Sequence, residues 1–440
     1  MTYNYLINRK FRLQEKSELK YIIITYCCAL CLLMSGVNAT LTFLINSFLL
    51  PLLWLRIFKS VYFDASIIPM AFFFNYFGKS FGVVSIIWIY FALYLYKFLF
   101  IKQVKLRLSE FMTILVVGVL QLIFPVSGIL QEGLKYIAFL ICTVMLFSRH
   151  NKINNFEPIY INIMLFCSAS ALIPILGIAQ VRTIELADGI YRYTAGGIQD
   201  PNYSSFLMLV GAIAAVSFKA GPTKWKKIVK FSSLLLCLLT ILRSVSISGI
   251  FGIGILALVY ASLQSGIARK VKFLFSLLII ALFLFSIITI YYPNIIDSLL
   301  WRIELLSKDF AKADYNRMGS NRLSISDNYL NSFFDQGVHR ILCGLRYMPA
   351  MDLVQLNGGV THNSYIDMLF MYGIIGTIIM LYSFIKKNII YFRNYRNSFS
   401  KEYQFIILCS ILLLYFSLTL SILPTVQWIV IYYLKRYPNA

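Results

Sequence analysis

The chain has 440 residues, 59% of them hydrophobic and only 13% charged, and its apolar residues gather in runs near bilayer length, which excludes an ordinary soluble globular fold. Its net charge of +22 comes from Lys and Arg in short segments between those runs, as the positive-inside rule requires, so nucleic-acid binding is excluded as the reason for the basicity. Of the cysteines only Cys343 falls in a long polar segment, and neither a disulfide framework nor a zinc site is expected.

Arg9, Lys10, Arg12, Lys16 and Lys20 place the start of the chain in the cytoplasm, ahead of an uncleaved first helix. Apolar runs near 20–37 and 39–56 form a hairpin that returns to Arg56 and Lys59. Runs near 61–77 and 80–101 form a second, returning to Lys102 and Arg107, and runs near 110–126 and 129–148 a third, returning to Arg149 and Lys152. The run near 157–179 crosses outward and delivers the polar segment 181–201 to the outer face. The next, near 202–218, returns to a lysine cluster from Lys219 to Lys230. Residues 234–242 and 249–263 make an out-and-back pair joined around 243–248, and a run near 273–292 exits again.

The longest hydrophilic stretch, 292–360, has balanced charge and reads as a small external subdomain. Its segments 301–310 and 322–334 carry helix-compatible apolar spacing, so short amphipathic helices are expected there. The chain then re-enters towards Lys386 and Arg393, and a run near 403–422 exits. The expected fold class is all-α, a polytopic transmembrane bundle of roughly twelve to fourteen helices with one long external loop containing short helices. Its organisation is 1–291 as N-terminal transmembrane region, 292–360 as periplasmic loop subdomain and 361–440 as C-terminal transmembrane helices.

Polar residues meet an apolar helix at Gly358 to Asp367. Thr361 is the expected N-cap, placing His362 in the first helical turn, beside unpaired backbone N–H groups and the positive end of the helix dipole. That environment suits a phosphate or diphosphate and disfavours the imidazolium, leaving His362 neutral and able to accept a proton. The alternative is a solvated or capping histidine. Gly373 and Gly376 fall on the His362 face and allow another helix to approach closely.

In 191–202 the text is Tyr-Arg-Tyr-Thr-Ala-Gly-Gly-Ile-Gln-Asp-Pro-Asn. Asp200 or Asn202 caps the helix that follows, with Pro201 in its first turn. Arg192 brings a permanent cation to the membrane surface, for a diphosphate or for a phospholipid headgroup. Arg243, at the end of an apolar run, faces either a functional cavity or the interface by snorkelling. Arg322 offers a guanidinium fork to a phosphate or is one solvated charge among several. Asp367 orients a base, pairs with an arginine, or is a polar pore-facing residue. His339 is expected to be exposed and His150 cytoplasmic.

The combination resembles the O-antigen polymerase and O-antigen ligase superfamily of polytopic envelope proteins. In that family an R-x-x-G…D-P-N motif opens one helix and H-[NS]-x-Y opens a later one. Here Arg192 to Gly197 followed by Asp200-Pro201-Asn202 matches the first, and His362-Asn363-Ser364-Tyr365 the second, with a long external loop between. The family often carries a Ser-Arg pair on the intervening helix, whereas this chain reads Arg243-Ser244-Val245-Ser246-Ile247, with Ile247 where that arginine is expected.

The resemblance implies transfer of a glycan from undecaprenyl diphosphate to an acceptor hydroxyl, with His362 catalytic and Arg192, Arg322 and Arg243 binding the diphosphate. Asp200, Asn202, Asn363, Tyr365 and Asp367 then support the site. The outer segments contain no Asp-x-Asp and no Gly-rich nucleotide cradle, so no metal and no other cofactor is expected. Implied partners are the lipid-linked oligosaccharide, membrane lipids and a chain-length regulator protein, at a bacterial inner membrane with the site facing the periplasm. A ligase acting on lipid A core and a flippase for lipid-linked oligosaccharides are the alternative functions.

Overall fold

A computed structural model describes residues 2–34, 44–73, 86–112, 114–115, 130–148, 156–176, 184–187, 190–196, 200–291, 293–311, 322–344, 363–418 and 420. The fold is helical. Within it, Ser17–Met34, Glu157–Ile175, Ile267–Tyr291 and Tyr372–Ser398 are long and apolar enough to cross a membrane.

The first half begins with α1 (Thr2–Met34) and α2 (Leu50–Ile57), the latter entered through a π-helical turn at Ile45–Leu49. The expected run over 61–77 is described as far as Phe73 and is one apolar helical segment, Val61–Phe72, in two consecutive pieces, α3 (Val61–Ala65) and α4 (Ile67–Phe72). The two pieces join at Ser66, which keeps helical backbone and whose hydroxyl lies 2.8 Å from both the Tyr62 carbonyl and Asn162 Oδ1. Local side-chain bonds of this kind compete with the helical ladder. Next come α5 (Ile87–Tyr96), prolonged by a π-helical turn at Lys97–Ile101, and α6 (Leu130–Leu146). Asp64 of α3 is clasped by Lys97 at 2.7 Å and Lys102 at 2.8 Å, so the buried carboxylate is paired on both oxygens.

The second half is an antiparallel array made of α7 (Glu157–Ile175), α8 (Pro201–Ser217), α9 (Lys224–Arg243), α10 (Ile247–Leu263), α11 (Ile267–Tyr291), α15 (Ser364–Ser398) and α16 (Lys401–Phe416). Between α7 and α8 lies a ribbon of two antiparallel strands, β1 (Ile184–Ala187) and β2 (Ile190–Arg192), in the segment read from sequence as polar loop. Helix starts follow local capping: Asp200 accepts from the amides of Asn202 and Tyr203, Ser246 from Gly249, and Ser400 from Glu402. Close packing needs small residues. A Cβ at Gly211 would stand 2.7 Å from Cys167 Cβ, and one at Gly249 2.6 Å from Ser205 Oγ.

Lysines mark one end of the array. Lys226 at the start of α9 binds Glu157 of α7 and lies 3.2 Å from Glu18 of α1, while Lys230 donates to the Phe218 carbonyl. At the same end the Tyr395 hydroxyl donates to the Leu263 carbonyl, joining the C-termini of α15 and α10. The opposite end receives the starts of α8, α10 and α15 and the finishes of α7, α9 and α16.

The long polar stretch contains α12 (Pro293–Ala311) and α13 (Arg322–Phe334), over the two segments where the apolar spacing predicts helices, and a further short helix, α14 (Val338–Cys343), that the spacing does not announce. Tyr329 and Phe333 of α13 pack on Ile366 and Phe370 of α15 as a cluster of their own. The expected continuous helix after 361 is broken at Gly373 (φ 64°, ψ −174°). A Cβ there would lie 2.4 Å from Leu342 O and Gly344 N, so the element that approaches closely at Gly373 is the end of the short helix α14, whereas a Cβ at Gly376 would meet only Tyr372 of its own helix.

Candidate active site

Arg192 and Arg243 both lie at the non-lysine end of the array, each more than nine-tenths buried. Arg192 ends β2, which carries it over the start of α8. Its Nη2 donates to Asn202 Oδ1 at 3.3 Å and its Nε to the Ser244 carbonyl at 3.1 Å. The Arg243 guanidinium lies 5.0 Å from the Tyr193 ring centroid, within cation–π range, directed inwards against the ribbon.

The chain reversal between α9 and α10 receives donors on three successive carbonyls. Tyr193 N donates to Arg243 O at 3.3 Å, Arg192 to Ser244 O, and Arg302 Nη1 of α12 to Val245 O at 3.0 Å. A helix C-terminus leaves carbonyls unpaired and carries partial negative charge, so two guanidinium groups there are favourable on both counts. Val245 is fully buried and adopts φ 48°, an unfavourable conformation for a β-branched residue, which surrounding bonds must hold.

Polar side chains continue the network. Ser246, the cap of α10, donates to Asn202 Oδ1 at 2.7 Å, and the Ser205 and Ser244 hydroxyls are 2.8 Å apart. The ribbon's exit is fixed by Ser170 of α7, which exchanges bonds with the Gly196 backbone in both directions. Asp200 serves as cap, as read from sequence, while Asn202 is one residue into the helix and serves the arginine.

Asn363, Ser364 and Tyr365 of the H-N-S-Y segment reach the same end. His362 and Thr361 lie outside the described residues. The cap of α15 is Asn363 and not Thr361: its side chain accepts from the amides of Tyr365 and Ile366. An Asn with extended backbone (φ −136°) suits that position better than the β-branched residue two places earlier, because its side-chain oxygen reaches both amides. Ser364 N donates to Ser417 O at 2.8 Å, and the Tyr365 hydroxyl to Leu414 O at 2.9 Å, fixing this start on the end of α16. Burial pushes the Tyr365 phenol up and keeps it a donor. Tyr415 of α16 in turn donates to Ser248 O at 3.0 Å, next to the cap of α10. The helix start that follows His362 is thus connected to the arginine pair through α16 and α10.

Asp367 faces α13, where burial and then its negative charge push the Tyr329 phenol up. Arg322 opens α13, and its side chain lies outside the described residues. His339 is exposed, while His150 lies outside the described residues.

Sequence reasoning missed Arg302, Ser246 and the cation–π partner Tyr193. Arg302 had a signal: with Ile295 and Ser298 it recurs at helical spacing, and Ile295 and Ser298 are buried, so the arginine shares the inward face of α12. Ser246 three residues before Gly249 likewise fits a capping position. Among the described residues no group of three His, Cys, Asp or Glu side chains is placed to hold a metal ion. No protein-family model matches the chain, and no curated protein matches it.

Proposed function

We propose that the chain is a metal-independent glycosyltransferase of the polysaccharide-polymerase type, a multi-pass protein of a bacterial inner membrane whose site faces the periplasm. Its donor is a growing glycan on undecaprenyl diphosphate, and its acceptor is a hydroxyl of an incoming lipid-linked repeat unit. The supporting observation is the buried arginine pair, Arg192 and Arg243, at the end of the array away from the lysine clusters, where α15 also begins immediately after His362. The positive-inside rule assigns the lysine end to the cytoplasm and hence this end to the outside.

In this reading His362 accepts the proton of the acceptor hydroxyl, and the oxygen attacks the anomeric carbon. The bond from that carbon to the diphosphate oxygen breaks, and undecaprenyl diphosphate departs with the bonding pair. Arg192, Arg243 and Arg322 stabilise the charge that develops on it, in surroundings where such stabilisation exceeds its value in water. Asp200 and Asn363 fix the two helix starts, Asn202 holds Arg192, and Tyr365 ties α15 to α16. Partners in this reading are the lipid-linked oligosaccharide, membrane lipids and a chain-length regulator protein.

The lipid-linked intermediates of a deletion strain test the assignment. A polymerase mutant is expected to retain core lipid A capped with a single repeat and to lose long chains. Bare core with accumulated long lipid-linked polymer would contradict it in favour of a ligase. Repeat units trapped on the cytoplasmic leaflet would contradict it in favour of a flippase.

A further inference from the structure

We infer that Arg302, on the long polar stretch, is the positioning residue that holds the Arg243–Ser246 reversal, and through it the arginine pair, in its working geometry. The inference deepens the diphosphate reading and rests on it for its functional consequence. Val245 has no favourable reason of its own to occupy φ 48°: its branched Cβ clashes in the left-handed region, and glycine or asparagine is the usual occupant. The conformation persists because its carbonyl is taken by Arg302 Nη1 at 3.0 Å and its amide by Leu242 O at 3.1 Å.

Two functional groups flank that residue. Two positions before it stands Arg243, over the Tyr193 ring, and directly after it Ser246, which caps α10 and bonds Asn202. Rotation of Val245 out of the left-handed region swings both at once and withdraws the Ser246 donor from Asn202, the group that also receives Arg192. Arg302 is supplied by α12, whose Ile295 and Ser298 are buried on the same face. Docking of the long polar stretch on the array and the set of the guanidinium pair are therefore one structural event.

The test uses the full chain in nanodiscs. Amide hydrogen exchange is followed at Tyr193, Val245 and Gly249, whose N–H groups bond to Arg243 O, Leu242 O and Ser246 Oγ. Arg302→Ala should speed these amides at least about tenfold, as loss of a charged hydrogen bond implies, with amides inside α7 unchanged. Arg302→Lys should restore most of the protection. The dissociation constant for undecaprenyl diphosphate should rise about tenfold in Arg302→Ala and recover in Arg302→Lys. In a Val245→Gly background, where the left-handed region carries no penalty, removal of Arg302 should have a smaller effect on both readouts. Should Val245→Gly not fold, the Ala and Lys variants carry the test alone. Wild-type exchange rates in Arg302→Ala, or an equal effect in both Val245 backgrounds, would overturn the inference. If wild-type protein fails to bind the probe while exchange responds as stated, the diphosphate reading falls and the assignment of Arg302 stands.

Discussion

Ser246 donates to Asn202 Oδ1 across 2.7 Å, and the same oxygen receives Arg192 at 3.3 Å, so one amide acceptor joins the starts of α8 and α10 to the end of β2. Asn202→Ala leaves a buried hydroxyl and a buried guanidinium each short of an acceptor, at a cost of about 1–3 kcal/mol for each. A lowered unfolding temperature in detergent is the expected outcome. Asn202→Asp, which keeps the acceptor and adds an opposite charge beside Arg192, should lose less.

Gly373 occupies backbone space that a side chain cannot share. Its φ and ψ fall in a region essentially restricted to glycine, and an added Cβ meets the Leu342 and Gly344 backbone at 2.4 Å. Gly373→Ala should cost about 1–3 kcal/mol from the backbone alone and detach α14. Limited proteolysis should then cut near 335–344 at a protease level that spares wild type.

Cys343 is exposed on α14, whereas Cys28, Cys31, Cys142, Cys167, Cys237 and Cys409 are buried. A membrane-impermeant maleimide added to cells with a permeable outer membrane should label the protein, and Cys343→Ser should abolish the label. Labelling that appears only after the inner membrane is opened would place the long polar stretch in the cytoplasm.

The α13 contact on α15 should weaken in alkali. Tyr329 packs edge-on against Phe370 with ring centroids 5.8 Å apart, and burial together with the Asp367 carboxylate raises its phenol above the ordinary value. Below pH 10 the phenol is neutral in folded and unfolded chain alike. As pH rises past that point the unfolded form ionises first, and stability is lost until the folded group titrates. The protection of amides in 325–333, taken relative to base-catalysed intrinsic exchange, should therefore fall above pH 10 in wild type. Tyr329→Phe should flatten that fall.

Helix positions were legible where apolar runs are long and end in capping residues: Asp200-Pro201 announces α8, and the spacing of Tyr329, Leu330 and Phe333 announces α13. Interruptions inside such runs were not. Ser66, where α3 joins α4, is bonded to Asn162, 96 residues away, and Gly373 interrupts α15 beside the backbone of Leu342; neither partner is visible along the chain. The sequence names Arg192, Arg322 and Arg243 together as cations for one diphosphate, without the bonds that hold them. That Arg192 and Arg302 cap adjacent carbonyls after α9 depends on the ribbon and on α12 folding back over it, which local sequence does not encode. Thr361 and Asn363 are both capping residue types, and it is Asn363 whose side chain reaches two amides from its position.

Chain extension by the purified protein, reconstituted with a lipid-linked repeat unit, tests the whole account most directly when wild type is set beside His362→Ala. The wild-type protein should produce a ladder of lengthened undecaprenyl-diphosphate glycans in the presence of a chelator. The variant, inserted and folded to the same level, should produce none. A ladder of undiminished length from His362→Ala would contradict the assignment of the base and of the site built around it.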